Sequence, residues 1–315
     1  MNITFLDSHC VNPGDISWEG LERLGHFTHY LHTTPELVLE RAAESDVILT
    51  NKISFTEEMI EKLPRLKYVC VSATGFDHID VEACRKMGIP VSNCAGYSTE
   101  AVAQHAFALM LERTNNVGRY ADEARQGVWS NCGDFSYCTY PIRELAGQQL
   151  AIVGLGNIGQ AVAKRALAFG MKVVAVTSKK ILPEGITAVS MEEAFETSDF
   201  VSLCLPATKE NKRFVNADLL KKCKPGLTLI NTARGVLIDD NDVAEALKNG
   251  VLGAYCADVM YPEPPREDNP LLSAPNCYIT PHIAWAALEA RQRLMKQLEE
   301  NVESFINGKA INVVN

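Results

Sequence analysis

The chain has 315 residues, 47% hydrophobic and 22% charged, and its 30 basic against 39 acidic side chains leave a net charge of −9. That length sets a prior of about two domains, each able to bury a core. The acidic balance disfavours nucleic acid and anionic lipid as partners, and no apolar run reaches transmembrane length. With no basic or cleavage signature in Met1–Asp7, a cytoplasmic protein is expected.

Strand and helix patterns alternate from end to end, which predicts α/β architecture with parallel sheets. Strands are predicted over 3–6, 27–31, 47–50, 68–73 and 90–93, with helices over 36–44, 56–63 and 81–87 between them. Gly25 and Gly88 follow helical runs, as carboxyl-terminal stops would. A long helix opens near Ser98, a good N-cap, and runs through 101–112 as the element between two α/β units. Further strands are predicted over 150–153, 172–176, 200–205, 228–231, 254–259 and 278–280, and an amphipathic helix over 288–306 closes the pattern. No low-complexity linker intervenes, so the second domain is expected to be inserted into the first. Ten cysteines include no Cys-x-x-Cys pair, and Cys70, Cys204 and Cys256 lie in apolar runs. They are read as small buried hydrophobes, with no disulfide or metal framework.

Gly154, Gly156 and Gly159 form a Gly-x-Gly-x-x-Gly run between the strand at 149–153 and a helix over 160–169. In that context the three glycines serve a tight turn, a close backbone approach to pyrophosphate, and helix–strand packing. The helix N-terminus offers unpaired N–H groups to phosphate, and Asn157 and Ile158, inside the glycine run, are counted among the cofactor-binding residues. A dinucleotide cofactor is therefore expected. The next strand should end beside the adenosine ribose, where an NAD-selective site usually carries an acid. Here the chain reads Thr177-Ser178-Lys179-Lys180. Hydroxyls and ammonium groups suit a 2′-phosphate, which favours NADP(H) over NAD(H); the competing reading is that both lysines are solvated loop charges.

Three polar residues follow predicted strands in the last third of the chain, where open α/β sheets bind ligands. Arg234, in Asn231–Gly235, can clamp a carboxylate bidentately and polarise a neighbouring carbonyl. Glu263 stands in the proline-bound loop Asp258–Pro265, which should hold it still. His282, after Thr280-Pro281, is a natural proton donor to a nascent alkoxide, and a carboxylate partner such as Glu263 should raise its pKa. A nucleotide on one side, with a base, its carboxylate and an anion clamp on the other, is the equipment of a dehydrogenase acting on a small carboxylic acid.

Over essentially its full length the chain resembles the D-isomer-specific 2-hydroxyacid dehydrogenase family. The resemblance rests on Ala73–Asp80, the Gly154–Gly159 run, Asn231–Gly235, Asp258–Pro264 and Thr280–His282. It implies two Rossmann-like, doubly wound parallel-sheet domains: a flavodoxin-like substrate domain from 1–97 and 286–315, and a dinucleotide-binding domain over 98–285. A homodimer is implied, with the long helix near Ser98 at its interface. By the same resemblance Arg234 would bind the 2-oxo acid, His282 would be the acid/base and Glu263 its partner. Backbone around Thr74 and Gly75 would complete the carboxylate pocket. Pro206, Ala233 and Asp258 would join the cofactor site, Asp258 near the nicotinamide.

Two stretches, 96–105 and 282–287, are most similar to glycerate dehydrogenases, also called hydroxypyruvate reductases. Trp285, in the second, could wall the substrate pocket or serve as an interface aromatic. Reduction of hydroxypyruvate or glyoxylate is expected. The alternatives are a D-lactate or branched 2-oxo acid reductase and, in another class, a nucleotide-sensing corepressor. Nothing favours formate dehydrogenase. Ala151 replaces a glycine common before the fingerprint, which should alter only strand packing. A chain ending at Asn315 lacks the regulatory domain of longer phosphoglycerate dehydrogenases, so serine feedback is not expected.

Overall fold

A computed structural model describes every residue from Met1 to Asn315. The chain divides into two compact units, Met1–Ser98 with Ala286–Asn315, and Thr99–Trp285. Both are α/β layers built on all-parallel sheets, as the alternating pattern predicts.

In the first unit the strands are β1 (Asn2–Phe5), β2 (His26–His29), β3 (Val47–Thr50), β4 (Tyr68–Val71) and β5 (Val91–Ser92), in the order β2-β1-β3-β4-β5. This is the flavodoxin-like order of a doubly wound sheet. β3 and β4 are buried at every position, because parallel sheets are covered on both faces. The edge strand β2 is half exposed and stops at His29, not at Leu31, which is itself 56% exposed; with one partner strand only, its far end leaves the ladder.

Gly88 does stop a helix: it follows Val81–Lys86 with φ of +71°, a conformation that glycine adopts without strain. Gly25 does not. It has no left-handed φ; the chain instead passes so close that a Cβ there would lie 2.4 Å from the Met1 carbonyl oxygen. At the carboxyl end of β1, buried Asp7 accepts from the backbone N–H groups of Asn51 (2.8 Å) and Lys52 (2.7 Å), pinning the loop after β3. The helix Leu288–Ile306 buries Ala290, Leu294, Leu298 and Val302, a four-residue spacing that lays one face on the sheet.

In the second unit the strands are β6 (Gln149–Val153), β7 (Lys172–Val176), β8 (Ile186–Ala188), β9 (Phe200–Leu203), β10 (Leu227–Asn231), β11 (Leu252–Ala257) and β12 (Cys277–Ile279). Their order is β12-β11-β10-β9-β6-β7-β8, every pairing parallel. The order reverses between β6 and β9, and such a switch point opens a crevice at the carboxyl ends of the strands. Three strands end earlier than the apolar runs predict, at Leu203, Ala257 and Ile279. In each case the next residue, Cys204, Asp258 or Thr280, still donates its N–H to the neighbouring strand, and the chain then leaves the ladder for a loop at the carboxyl edge of the sheet.

Pattern reading missed β8, a three-residue, half-exposed edge strand, and the helices Val117–Arg125, Met191–Thr197 and Asp240–Lys248. Two of these helices carried readable starts. Ser190 accepts from the Glu193 N–H in a Ser-x-x-Glu box, and Asp239 caps Asn241 and Asp242. The long helix spans Thr99–Asn115 and buries Val102, Ala103, Ala106, Phe107 and Met110. No helix is long and apolar enough to cross a membrane.

Candidate active site

The cofactor side of the second unit begins where β6 ends. Gly154 sits at φ +98°, and a Cβ on it would lie 2.8 Å from the Cys204 carbonyl oxygen. Gly156 is the residue before the helix Asn157–Ala168, and a Cβ there would meet nothing within 4 Å, so its backbone faces open space. At Gly159 a Cβ would fall 2.2 Å from the Gly154 carbonyl oxygen, so only glycine lets the helix approach its strand this closely. The helix starts at Asn157, ahead of the predicted 160, because its first turn lies inside the glycine run.

A groove of about 480 Å³ lies over this turn, lined by residues including Gly154, Gly156, Thr177, Ser178, Lys179 and Leu205. Thr177 is half-buried, Ser178, Lys179 and Lys180 are exposed, and the Thr177 hydroxyl accepts from the Lys179 N–H at 3.2 Å. Pro206 is exposed just beyond β9, its carbonyl held by the Asn211 amide at 2.9 Å. The cradle therefore fits a dinucleotide: open backbone at a helix N-terminus, no side chain over Gly156, and cations beside the ribose end. The Thr232 hydroxyl, beside Ala233 in the loop after β10, is buried without a hydrogen-bond partner.

The candidate catalytic side is assembled from three loops. Fully buried Asn231 ends β10; its side-chain amide donates to the Arg234 carbonyl (3.0 Å) and its oxygen accepts from the Ala233 N–H (3.1 Å). This fixes the turn that presents Arg234. The guanidinium Nη1 donates to the Ala233 carbonyl at 2.8 Å, and no acidic side chain pairs with it. Gly235 then packs against the second loop so tightly that a Cβ would lie 2.2 Å from the Met260 carbonyl oxygen.

In that second loop Glu263 is held at both carboxylate oxygens. Oε1 accepts from the Met260 N–H at 2.9 Å, and Oε2 meets His282 Nδ1 at 2.6 Å. A carboxylate can only accept, so Nδ1 carries the proton and donates. The second ring nitrogen, Nε2, is thereby the one that gains and loses a proton. His282 itself sits at φ +56°, in the left-handed region that non-glycine residues seldom occupy. Its carbonyl accepts from the Trp285 indole N–H at 2.8 Å, which ties Trp285 to the same turn.

The resemblance implies that Asp258 lies near the nicotinamide; within the chain its carboxylate is engaged by protein groups. It is 1% exposed and accepts from the Thr280 hydroxyl (2.6 Å), the Ile283 N–H (2.9 Å) and the Ala284 N–H (2.8 Å). Thr280, and His105 behind it, are site residues that the motif reading did not single out. Arg234, Glu263, His282, Trp285 and the glycine turn all belong to the second unit. Thr74 and Gly75 belong to the first, after β4, with the Thr74 hydroxyl donating to the Cys94 carbonyl at 3.1 Å.

Residues 107–284 match the model of the family described as D-isomer specific 2-hydroxyacid dehydrogenase, NAD binding domain. The chain is 40% identical over 321 aligned positions to a hydroxypyruvate reductase of Blautia hydrogenotrophica, covering 100% of both chains. A glycerate dehydrogenase of Methylorubrum extorquens is 40% identical over 283 positions, 89% of each chain. Among solved structures, an acyclic imino acid reductase (Bsp5) in complex with NADPH and D-Arg superposes with a TM-score of 0.89 at 32% identity, covering 100% of both chains. The nucleotide cradle, the histidine–carboxylate pair and these likenesses agree: the chain belongs to the D-isomer-specific 2-hydroxyacid dehydrogenase family and is an NAD(P)-dependent oxidoreductase acting on the CH–OH group of small 2-hydroxy acids.

Proposed function

We propose that this enzyme interconverts hydroxypyruvate and D-glycerate, and glyoxylate and glycolate, with NADP(H) preferred over NAD(H). The observation that carries the chemistry is the 2.6 Å hydrogen bond from His282 Nδ1 to Glu263, which leaves Nε2 as the transferable-proton site. The full-length 40% identity to a hydroxypyruvate reductase supports the choice of substrate. In the reductive direction the Arg234 guanidinium binds the substrate carboxylate and orients its carbonyl. His282 Nε2 gives its proton to the C2 oxygen, and Glu263 stabilises the imidazolium that precedes the transfer. A nicotinamide cofactor held by the glycine turn would supply the hydride to C2. In the oxidative direction Nε2 takes the hydroxyl proton back.

Under the same reading Thr99–Trp285 is the cofactor domain. The remainder of the chain is the substrate domain, contributing backbone at Thr74 and Gly75. Gly154, Gly156, Asn157, Ile158 and Gly159 hold the pyrophosphate, and Thr177, Ser178 and Lys179 take the ribose end. Support for NADP(H) is the absence of any acid at 177–180, where two ammonium groups stand exposed. Purified protein assayed with hydroxypyruvate should turn over with either cofactor and show the higher kcat/KM with NADPH. An equal or higher value with NADH would overturn the cofactor preference; no turnover with hydroxypyruvate or glyoxylate would overturn the substrate assignment.

The functional unit is read as a homodimer. The segment after the Thr99–Asn115 helix exposes Val117 (62%), Trp129 (55%), Phe135 (92%) and Ile142 (51%), apolar surface that a second copy would cover. Sedimentation equilibrium should give twice the chain mass, and a monomer at micromolar concentration would remove this reading.

A further inference from the structure

The proton-transfer histidine stands in a left-handed backbone conformation that residues other than glycine seldom adopt, and the groups that hold the turn can be named. His282 has φ of +56°, and its N–H closes a tight turn onto the Thr280 carbonyl at 3.0 Å. The residues on both sides of this turn are gripped by one buried carboxylate. Asp258 Oδ1 accepts from the Thr280 hydroxyl and the Ile283 N–H, and Oδ2 accepts from the Ala284 N–H. Behind the carboxylate lies a second histidine. His105, on the Thr99–Asn115 helix, places Nε2 2.9 Å from the Thr280 hydroxyl oxygen and 3.6 Å from Asp258 Oδ1.

We propose that His105 is a positioning residue for His282, acting through Thr280 and Asp258. The inference rests on His282 being the acid/base, as assigned above. Proton counting sets the direction of the chain of bonds. The Thr280 hydroxyl owns one proton, and Asp258, 2.6 Å away, can only accept. That proton is therefore committed to Asp258, and the hydroxyl oxygen must accept from His105 Nε2–H. The Ala257 carbonyl, 3.3 Å from the same hydroxyl, is a competing acceptor. With His105 donating from one side, the hydroxyl is held toward Asp258. Without it, the hydroxyl can rotate to Ala257, and Asp258 loses one of the three donors that shape the turn. The long helix thus does more than pack against the sheet; it reaches the loop that aims the catalytic imidazole.

The test uses the full chain and three variants: His105→Leu, His105→Gln and Thr280→Val. Glutamine can present an N–H near the Nε2 position, leucine cannot, and valine removes the hydroxyl at nearly constant shape. Hydroxypyruvate reduction should lose about tenfold to a hundredfold in kcat in His105→Leu and Thr280→Val, as expected for a catalytic group displaced by about an ångström. The KM for NADPH should stay within about twofold, and His105→Gln should recover most of the loss. Independently of turnover, the Ile283 amide in ¹⁵N-isoleucine-labelled protein reports the hydrogen bond to Asp258. It should shift in the leucine and valine variants and stay in place in the glutamine variant.

Unchanged kcat in His105→Leu, equal losses in His105→Leu and His105→Gln, or an unmoved Ile283 amide would each overturn the proposal. Should His105→Leu fail to fold, Thr280→Val carries the same comparison. A wild-type protein that turns over neither hydroxypyruvate nor glyoxylate, yet shows the amide pattern, would overturn the assigned substrates and support the positioning network.

Discussion

Replacing His282 with alanine is expected to lower kcat for 2-oxo acid reduction by a factor of roughly 10² to 10⁴, the range that a positioned general acid contributes. Dinucleotide affinity, followed by the fluorescence of bound NADPH, should stay unchanged. The size follows from the proton inventory of the site. His282 Nδ1 is engaged by Glu263, so Nε2 is the ring atom that can deliver a proton to the developing alkoxide. Glu263 cannot substitute directly, since a carboxylate accepts and has no proton to give, and its Oε1 stays bound to the Met260 N–H. The loop should survive the change, because the Met260–Glu263 bond and the Asp258 contacts to Ile283 and Ala284 do not involve the ring. Retained turnover in a folded variant would remove His282 as the proton donor.

How far this site could be read from sequence depended on whether a residue's role is local. The glycine run was legible because each glycine answers a short-range geometric demand. Gly159, for example, must clear a carbonyl only five residues away in the chain, that of Gly154. Arg234, Glu263 and His282 were legible because each follows an apolar strand, and parallel strands deliver their following loops to one edge of the sheet. The helix starts at Ser190 and Asp239 were also local, and were readable though not read.

The Asp258–Thr280–His105 network was not legible, since it joins positions separated by 22 and 175 residues through side chains that only the folded sheet brings together. Gly235 belongs to the same class. Its smallness is required by the Met260 carbonyl of another loop, a neighbour that no spacing rule points to. Gly25 was misread for the converse reason: a glycine after a helical run suggests a left-handed stop, whereas here the demand comes from the passing chain at Met1.

Arg234→Lys tests the other half of the chemistry, the recognition of the substrate's charge. The variant should raise the KM for hydroxypyruvate and lower kcat, with kcat/KM down by roughly tenfold to a hundredfold. One hydrogen bond to a charged group contributes about 1.5–3 kcal/mol, and each 1.36 kcal/mol is a factor of ten. Both constants should move, because the guanidinium is asked to do two things, hold the carboxylate and polarise the adjoining carbonyl. On the proposed roles, lysine should not do both. One nitrogen of the guanidinium, Nη1, is tethered to the Ala233 carbonyl at 2.8 Å, and the Asn231 amide and the Gly235 contact fix the turn beneath it. The planar group is held by one edge, and its remaining donors, which no acidic side chain engages, keep a fixed spacing. An ammonium group on a flexible stem has no second edge. It either bonds Ala233 and turns away from the substrate, or reaches the substrate and loses the tether. A rise in KM with kcat unchanged would mean that Arg234 binds substrate and transition state equally and does not polarise the carbonyl; unchanged kinetics would place the carboxylate site elsewhere.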